Sequence, residues 1–218
     1  MIGAGSGVGA TIAELIRAID TADSKGAMVV AVNQLAAAQD AAAIPTLITV
    51  LGYNNPGASV AAVNGLAALG DAAVPALLEQ LDGYNYGARA WAIRALALIG
   101  DPRALSVLLD TAKGDFALSV RRAAARGLGN INWSLLAPDQ RAILQENVLQ
   151  VLTEAAISDP EWVVRYAAVA GLQGLAIAWV EPNCQMSPLL NCLERVCWND
   201  DTAAVQARAR LALEALAS

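Results

Sequence analysis

The chain has 218 residues, 48 of them alanine; 56% are hydrophobic, only 5% aromatic and 16% charged, and the net charge is −6. So apolar a composition excludes a disordered chain. The alanine content favours helix over sheet, and the acidic balance argues against a nucleic-acid binder. No histidine occurs, which excludes Ser-His-Asp and Cys-His catalysis, histidine-ligated metals and imidazole switching within this chain.

In chain order, residues 1–10 are expected to be a flexible N-terminus. Met1 to Gly5 lacks the positive stretch of a signal peptide. Gly5 to Ala10 approximates a dinucleotide-binding glycine motif, but no strand precedes it as that motif requires. Residues 11–218 read as one domain built on a repeat. Val60–Asp71 recurs as Ala90–Asp101 and, shortened, as Arg122–Gly129; weaker copies are Tyr166–Leu172 and Ala207–Leu213, and a worn first copy ends at Leu35. The equivalent leucines Leu35, Leu66, Leu96, Leu128, Leu172 and Leu213 are separated by 31, 30, 32, 44 and 41 residues.

Each copy has the same grammar. A small-residue helix stops at a glycine, as in Gly70-Asp71 and Gly100-Asp101. A proline then opens a leucine-bearing helix: Pro45 before Leu47, Pro75 before Leu77, Pro102 before Leu105 and Leu108. Paired helices at this period predict an all-α fold, an α-solenoid of about five to six HEAT- or armadillo-like repeats. The longer units place insertions near Asn130–Gln140 and Glu181–Ser187, expected on turns. Tyr166 to Val180 is apolar and uncharged but covers only fifteen residues, short of the roughly 20 that a membrane-spanning helix needs. Cys184, Cys192 and Cys197 are odd in number and lack CxxC spacing, so neither a disulfide framework nor a zinc site is indicated. The expectations are a cytoplasmic protein with no membrane span and no metal.

Aligning the repeats separates framework from exception. Arg89, Arg121 and Arg165 share a column at the start of the small-residue helix, where an arginine pairs with an acid of a neighbouring turn. Arg94 and Arg126 share a column that elsewhere holds Asn64, Ala170 and Leu211, and Arg122 aligns with Ala90 and Tyr166. The repeat does not require these three, which makes them candidates for a ligand or partner. Seven of the fourteen basic residues lie between Arg89 and Arg126 against three acids, a local charge of +4 on an acidic chain. That pattern suits one defined anionic partner. Trp91 replaces the alanines Ala61, Ala123 and Ala167, and offers either a core plug or a stacking surface. The turn before it holds Tyr84 and Tyr86. Leu189 to Trp198 is an apolar candidate for a dimer surface.

The runs Tyr84–Leu96, Gly100–Ala104, Asp115–Gly127 and Asp159–Ala168 resemble the E/F-type phycobilin lyases, HEAT-like proteins that attach open-chain tetrapyrroles to phycobiliproteins. The resemblance covers roughly Ala22 to the C-terminus and is strongest to the F-type members. It implies a heterodimer with an E-type subunit in a phycobilisome-containing photosynthetic cell. Its activity would be formation, and reversal, of a thioether between phycocyanobilin and a cysteine of the phycocyanin alpha subunit. Phycocyanobilin would be substrate, not cofactor, and the attacking thiol would belong to the acceptor. On that premise Tyr84, Tyr86 and Trp91 are expected to pack against the bilin, and Arg94, Arg122 and Arg126 to hold its two propionates. Asp101 or Asp115 would protonate or orient the pyrrole nitrogens. Some relatives also isomerise the bilin and carry a His-Cys motif; Asn183-Cys184 lacks the histidine, so simple attachment is expected. The competing expectation is a non-catalytic scaffold that binds a protein partner with the same arginines.

Overall fold

Small residues set the spacing of this chain, and glycine or a polar cap fixes several of its helix ends. The computed structural model describes residues 10–81, 86–179 and 186–217, with the Tyr86 side chain left out, and every regular element among them is helical. The chain divides into two compact units, Met1–Trp91 and Ala92–Ser218.

In the first unit, α1 (Ile12–Asp20), α2 (Lys25–Ala37), α3 (Ile44–Leu51), α4 (Pro56–Leu69) and α5 (Val74–Gln80) precede the start of α6 (Tyr86–Ile99). The small-residue helices α2 and α4 pack on each other, while α3 packs on α4 and α5. Thr11 and Glu14 form a reciprocal capping box on α1. Asn55 caps α4 at the Ala58 N–H and also donates to the Lys25 carbonyl at 3.0 Å, which joins two successive turns. A Cβ on Gly65 would stand 2.6 Å from Ala36 Cβ, so the α2–α4 approach depends on small residues. Pro56–Gln80 is apolar enough to cross a membrane by composition. Its chain nevertheless turns at Gly70, whose φ of 62° suits glycine, and continues as a separate helix.

The second unit contains the end of α6, then α7 (Leu105–Gly114), α8 (Leu118–Leu128), α9 (Pro138–Ser158), α10 (Trp162–Ala178), α11 (Met186–Asn199) and α12 (Ala203–Ala217). Helices α8, α10 and α12 form one layer and α7, α9 and α11 the other. Glycines make the seam between α8 and α10: a Cβ on Gly171 would meet the Ala125 carbonyl oxygen at 2.4 Å, and one on Gly174 would meet the Gly129 oxygen at 2.3 Å. Of the repeat leucines, Leu35, Leu66, Leu96, Leu128 and Leu172 are fully buried, each contributing about 1.5–3 kcal/mol. Leu213 is only half-buried.

The first insertion differs from a simple turn. Pro138 to Gln140 already belong to α9, and Asn130 to Ala137 fold back on α6. The Asn130 side chain donates to the Ala97 and Leu98 carbonyls, the Asn132 N–H donates to Gly100 O at 2.8 Å, and Trp133 is buried. These contacts satisfy carbonyls that a helix end leaves unpaired. Of the second insertion, Glu181 to Gln185 lie outside the described residues, while Met186 and Ser187 begin α11.

Candidate functional site

Three aspartates occupy equivalent turns ahead of α8, α10 and α12. The Oδ1 atoms of Asp115, Asp159 and Asp200 accept the N–H groups of Ala117, Glu161 and Thr202 at 2.9 Å. The column arginines join these turns. Arg121 donates through Nε and Nη2 to Asp159 at 2.8 and 3.1 Å and through Nη1 to the Asp115 carbonyl at 2.8 Å. Arg165 repeats the pattern one unit on, with Asp200 at 2.7 and 3.1 Å and the Asp159 carbonyl at 3.0 Å. It also pairs with Asp201. In the next copy Gln206 donates to the Asp200 carbonyl at 2.6 Å. Hydrogen bonding to Asp159 and to Asp200 holds both guanidiniums above the ordinary arginine range, against the opposing effect of burial. A groove of about 330 Å³ lined by Lys113, Asp115, Arg121, Glu154 and Asp159 runs beside this ladder. Its principal charges are engaged in holding the turns.

The two candidate acids are placed in structural roles. Asp101 is buried, caps the turn before α7 through the Arg103 N–H, and accepts Arg103 Nε at 2.9 Å and Nη2 at 2.7 Å. The Arg103 hydrogen bonds hold its carboxyl below the usual carboxylate range, despite burial. A carboxylate kept charged in this way is a poor proton donor at neutral pH. Asp115 is likewise buried, and its place in the turn series explains its side chain.

The exceptional residues separate by element. Tyr84 lies outside the described residues, and of Tyr86 only its position at the start of α6 is described. Trp91, on α6, is half-buried, and Arg94 lies one turn further on, exposed. In the second unit the structure brings Arg122 and Arg126 together on successive turns of α8, both exposed and neither paired with an acid among the described residues. The neighbouring α10 contributes Trp162 and Tyr166, 46% and 36% exposed, so this face offers aromatic surface beside free cations.

Sequence reasoning passed over Tyr166, Gln173 and Arg208. The first stands in the Arg122 column and the last in the Trp91 column, so the repeat alignment held the signal for both. Burial pushes the Arg208 guanidinium below its ordinary range, and the like charge of Arg126 adds to this, while Tyr166 acts in the opposite sense. Cys192 and Cys197 are buried on α11, and burial raises the Cys192 thiol. Such a thiol is a weak nucleophile. Cys184 lies outside the described residues. No cluster of three metal-ligating side chains occurs among the described residues.

A family model for HEAT repeats matches residues 74–173, and one for the PBS lyase HEAT-like repeat matches residues 60–83. The chain is 52% identical over 205 residues to the phycobilisome maturation protein of Synechococcus elongatus, covering 94% of this chain and 98% of that one. It is 50% identical over 199 residues to the phycocyanobilin lyase subunit beta of a Nostoc species, covering 91% and 97%. Among solved structures it is similar to a chain in the complex of CpcE and CpcF of phycocyanin lyase from Nostoc. There the TM-score is 0.72 and the identity 50%, over 79% of this chain and 99% of that one.

Proposed function

The chain belongs to the phycocyanobilin lyase beta-subunit family, the F-type branch of the E/F phycobilin lyases, and from that premise we propose how it works. It is one subunit of a heterodimeric lyase, acts with an E-type partner, and joins phycocyanobilin to a cysteine of the phycocyanin alpha subunit. The observation that carries this reading is half-identity to a lyase beta subunit along nearly the full length of both chains. It favours the lyase over a non-catalytic scaffold. Its relatives are cyanobacterial phycobilisome proteins, which supports a place of work in the cytoplasm of a phycobilisome-containing cell.

The chemistry is addition. The acceptor sulfur forms a C–S bond to the exocyclic double bond of the bilin, and the thiol hydrogen ends on the tetrapyrrole, so no atom leaves. Reversal breaks the same bond. No nucleophile from this chain is needed, which suits a chain without histidine, and the rate gain comes from orientation. Trp91, with Tyr84 and Tyr86, packs against the conjugated system, and Arg94, Arg122 and Arg126 attract the propionates. Asp101 and Asp115 contribute by fixing turns.

The test is co-production with an E-type partner, a bilin source and apo-phycocyanin alpha subunit, followed by absorbance of the denatured alpha subunit. The expected outcome is a covalent bilin that appears only when both lyase subunits are present. Binding of the alpha subunit without any covalent colour would return the scaffold reading.

A further inference from the structure

Two cations of the second unit sit on α8 and α12, the helices that pack on α10, without an acid partner among the described residues. Arg208 of α12 is half-buried, and its Nη2 donates to Gln173 Oε1 at 2.5 Å across the α10–α12 seam. An amide oxygen satisfies one of five guanidinium donors and none of the charge. Arg126 of α8 is close enough for its like charge to act on Arg208. Neither arginine forms an ion pair among the described residues. This contrasts with Arg121 and Arg165, whose charges meet Asp159 and Asp200 at 2.8 and 2.7 Å.

The fold does not require this arrangement. In the Arg208 column the copies from the second to the fifth carry Ala61, Trp91, Ala123 and Ala167, none of them charged, and removing a guanidinium from water without a counter-charge is costly. Tyr166 and Gln173 lie two turns apart on α10, so their side chains share a face. The second unit thus presents two guanidiniums, an amide and a phenol, with the exposed Trp162 one turn beyond Tyr166. Guanidinium donors match the paired oxygens of a carboxylate.

We propose that Arg126 and Arg208, with Gln173 and Tyr166, form a carboxylate-binding subsite that takes a propionate of the bilin. The subsite rests on the lyase reading, because that reading supplies a flat apolar ligand with acidic side chains. Arg208 is a positioning residue: it fixes where the carboxylate end lies and so which part of the tetrapyrrole is presented for attack. An acidic side chain of the acceptor protein has the same chemistry, and the experiment separates the two sources.

Phycocyanobilin and its dimethyl ester are titrated by absorbance into the E/F heterodimer, wild type and Arg208→Gln, with thermal melting as the folding control. Wild type is expected to bind the free acid about tenfold more tightly than the ester, the scale of one charge-assisted hydrogen bond. Arg208→Gln is expected to lose part of that preference by weakening the acid alone, and Arg208→Lys to lose less of it. Equal weakening of both forms, or no change in either, overturns the subsite. So does an Arg208→Gln enzyme that binds bilin normally but shows a raised KM for the acceptor, because the carboxylate then belongs to the acceptor. A wild-type heterodimer that binds neither form overturns the lyase reading itself.

Discussion

Arg165 and Asp200, 35 residues apart in sequence, meet through two parallel hydrogen bonds, Nε to Oδ2 at 2.7 Å and Nη2 to Oδ1 at 3.1 Å. Both side chains are nearly removed from water, 10% and 5% exposed. Breaking a buried pair from one side costs about 3–5 kcal/mol when the remaining charge has no other partner, an upper bound here because Arg165 also pairs with Asp201. Asp200→Ala therefore should lower the melting temperature by more than a few degrees and at most roughly 20 °C for a domain of this size. A shift below a few degrees in a calorimetric scan would mean that water already screens the pair.

The same carboxylates set the acid limit of stability. Burial raises the Asp200 pKa, but the Arg165 and Thr202 hydrogen bonds outweigh it and the net direction is down; Arg103 does the same for Asp101. A folded-state pKa below the unfolded value contributes stability above the unfolded value, 3.8 for aspartate, and loses it as pH falls through the folded one. The melting temperature should be nearly flat between about pH 5 and 7 and fall steeply below about pH 4. Removing Asp200 should reduce the steepness of that fall, which a series of melts in matched ionic strength reads directly.

At the α8–α10 seam two propensities compete. Alanine is a better helix former than glycine by about 1 kcal/mol. A methyl on Gly171 would, however, lie 2.4 Å from the Ala125 oxygen and 2.9 Å from Leu152 Cδ2. Backbone cannot yield as a side chain end can, and overpacking of this kind costs about 1–3 kcal/mol or more. Gly171→Ala is expected to destabilise the chain in denaturant titration; a stabilised variant would show that the seam is loose.

Arg122 and Asp115 provide a contrast between site and framework. Arg122→Gln removes an exposed cation with no ion-pair partner among the described residues. It should leave the melting temperature within a degree or two while slowing bilin transfer by about tenfold. Asp115→Asn should lower the melting temperature and leave the pH profile of transfer unshifted. A displaced profile with normal stability would restore Asp115 as an acid in the reaction.

Much of this was legible in the sequence, for identifiable reasons. The column of Arg89, Arg121 and Arg165 implied pairing with turn acids, and Asp159 and Asp200 meet the last two because each repeat presents the same geometry to the next. Gly70 and Gly100 marked helix stops, and both take a positive φ. The role of Asn130 was hidden because the insertion has no periodicity, and its side chain reaches back 33 and 32 residues to carbonyls that sequence spacing does not reveal. The Arg103 side chain folded onto Asp101 was not legible, because a turn carboxylate suits acid chemistry and capping equally in sequence. Arg208 was not legible because alanines surround it, and an arginine on such a helix reads as a solvated charge until Gln173 is placed against it.

The burial of the Arg–Asp ladder has one more consequence. Mobile ions screen exposed charges beyond about 8–10 Å at physiological salt but reach buried pairs poorly. Two pairs of arginines therefore differ in their sensitivity to ionic strength. Arg121 and Arg165, sealed in their turns, are nearly blind to it, whereas Arg122 and Arg126 feel it fully. Salt thus weakens any attraction that the exposed arginines exert while leaving the buried pairs, and the turns they hold, intact.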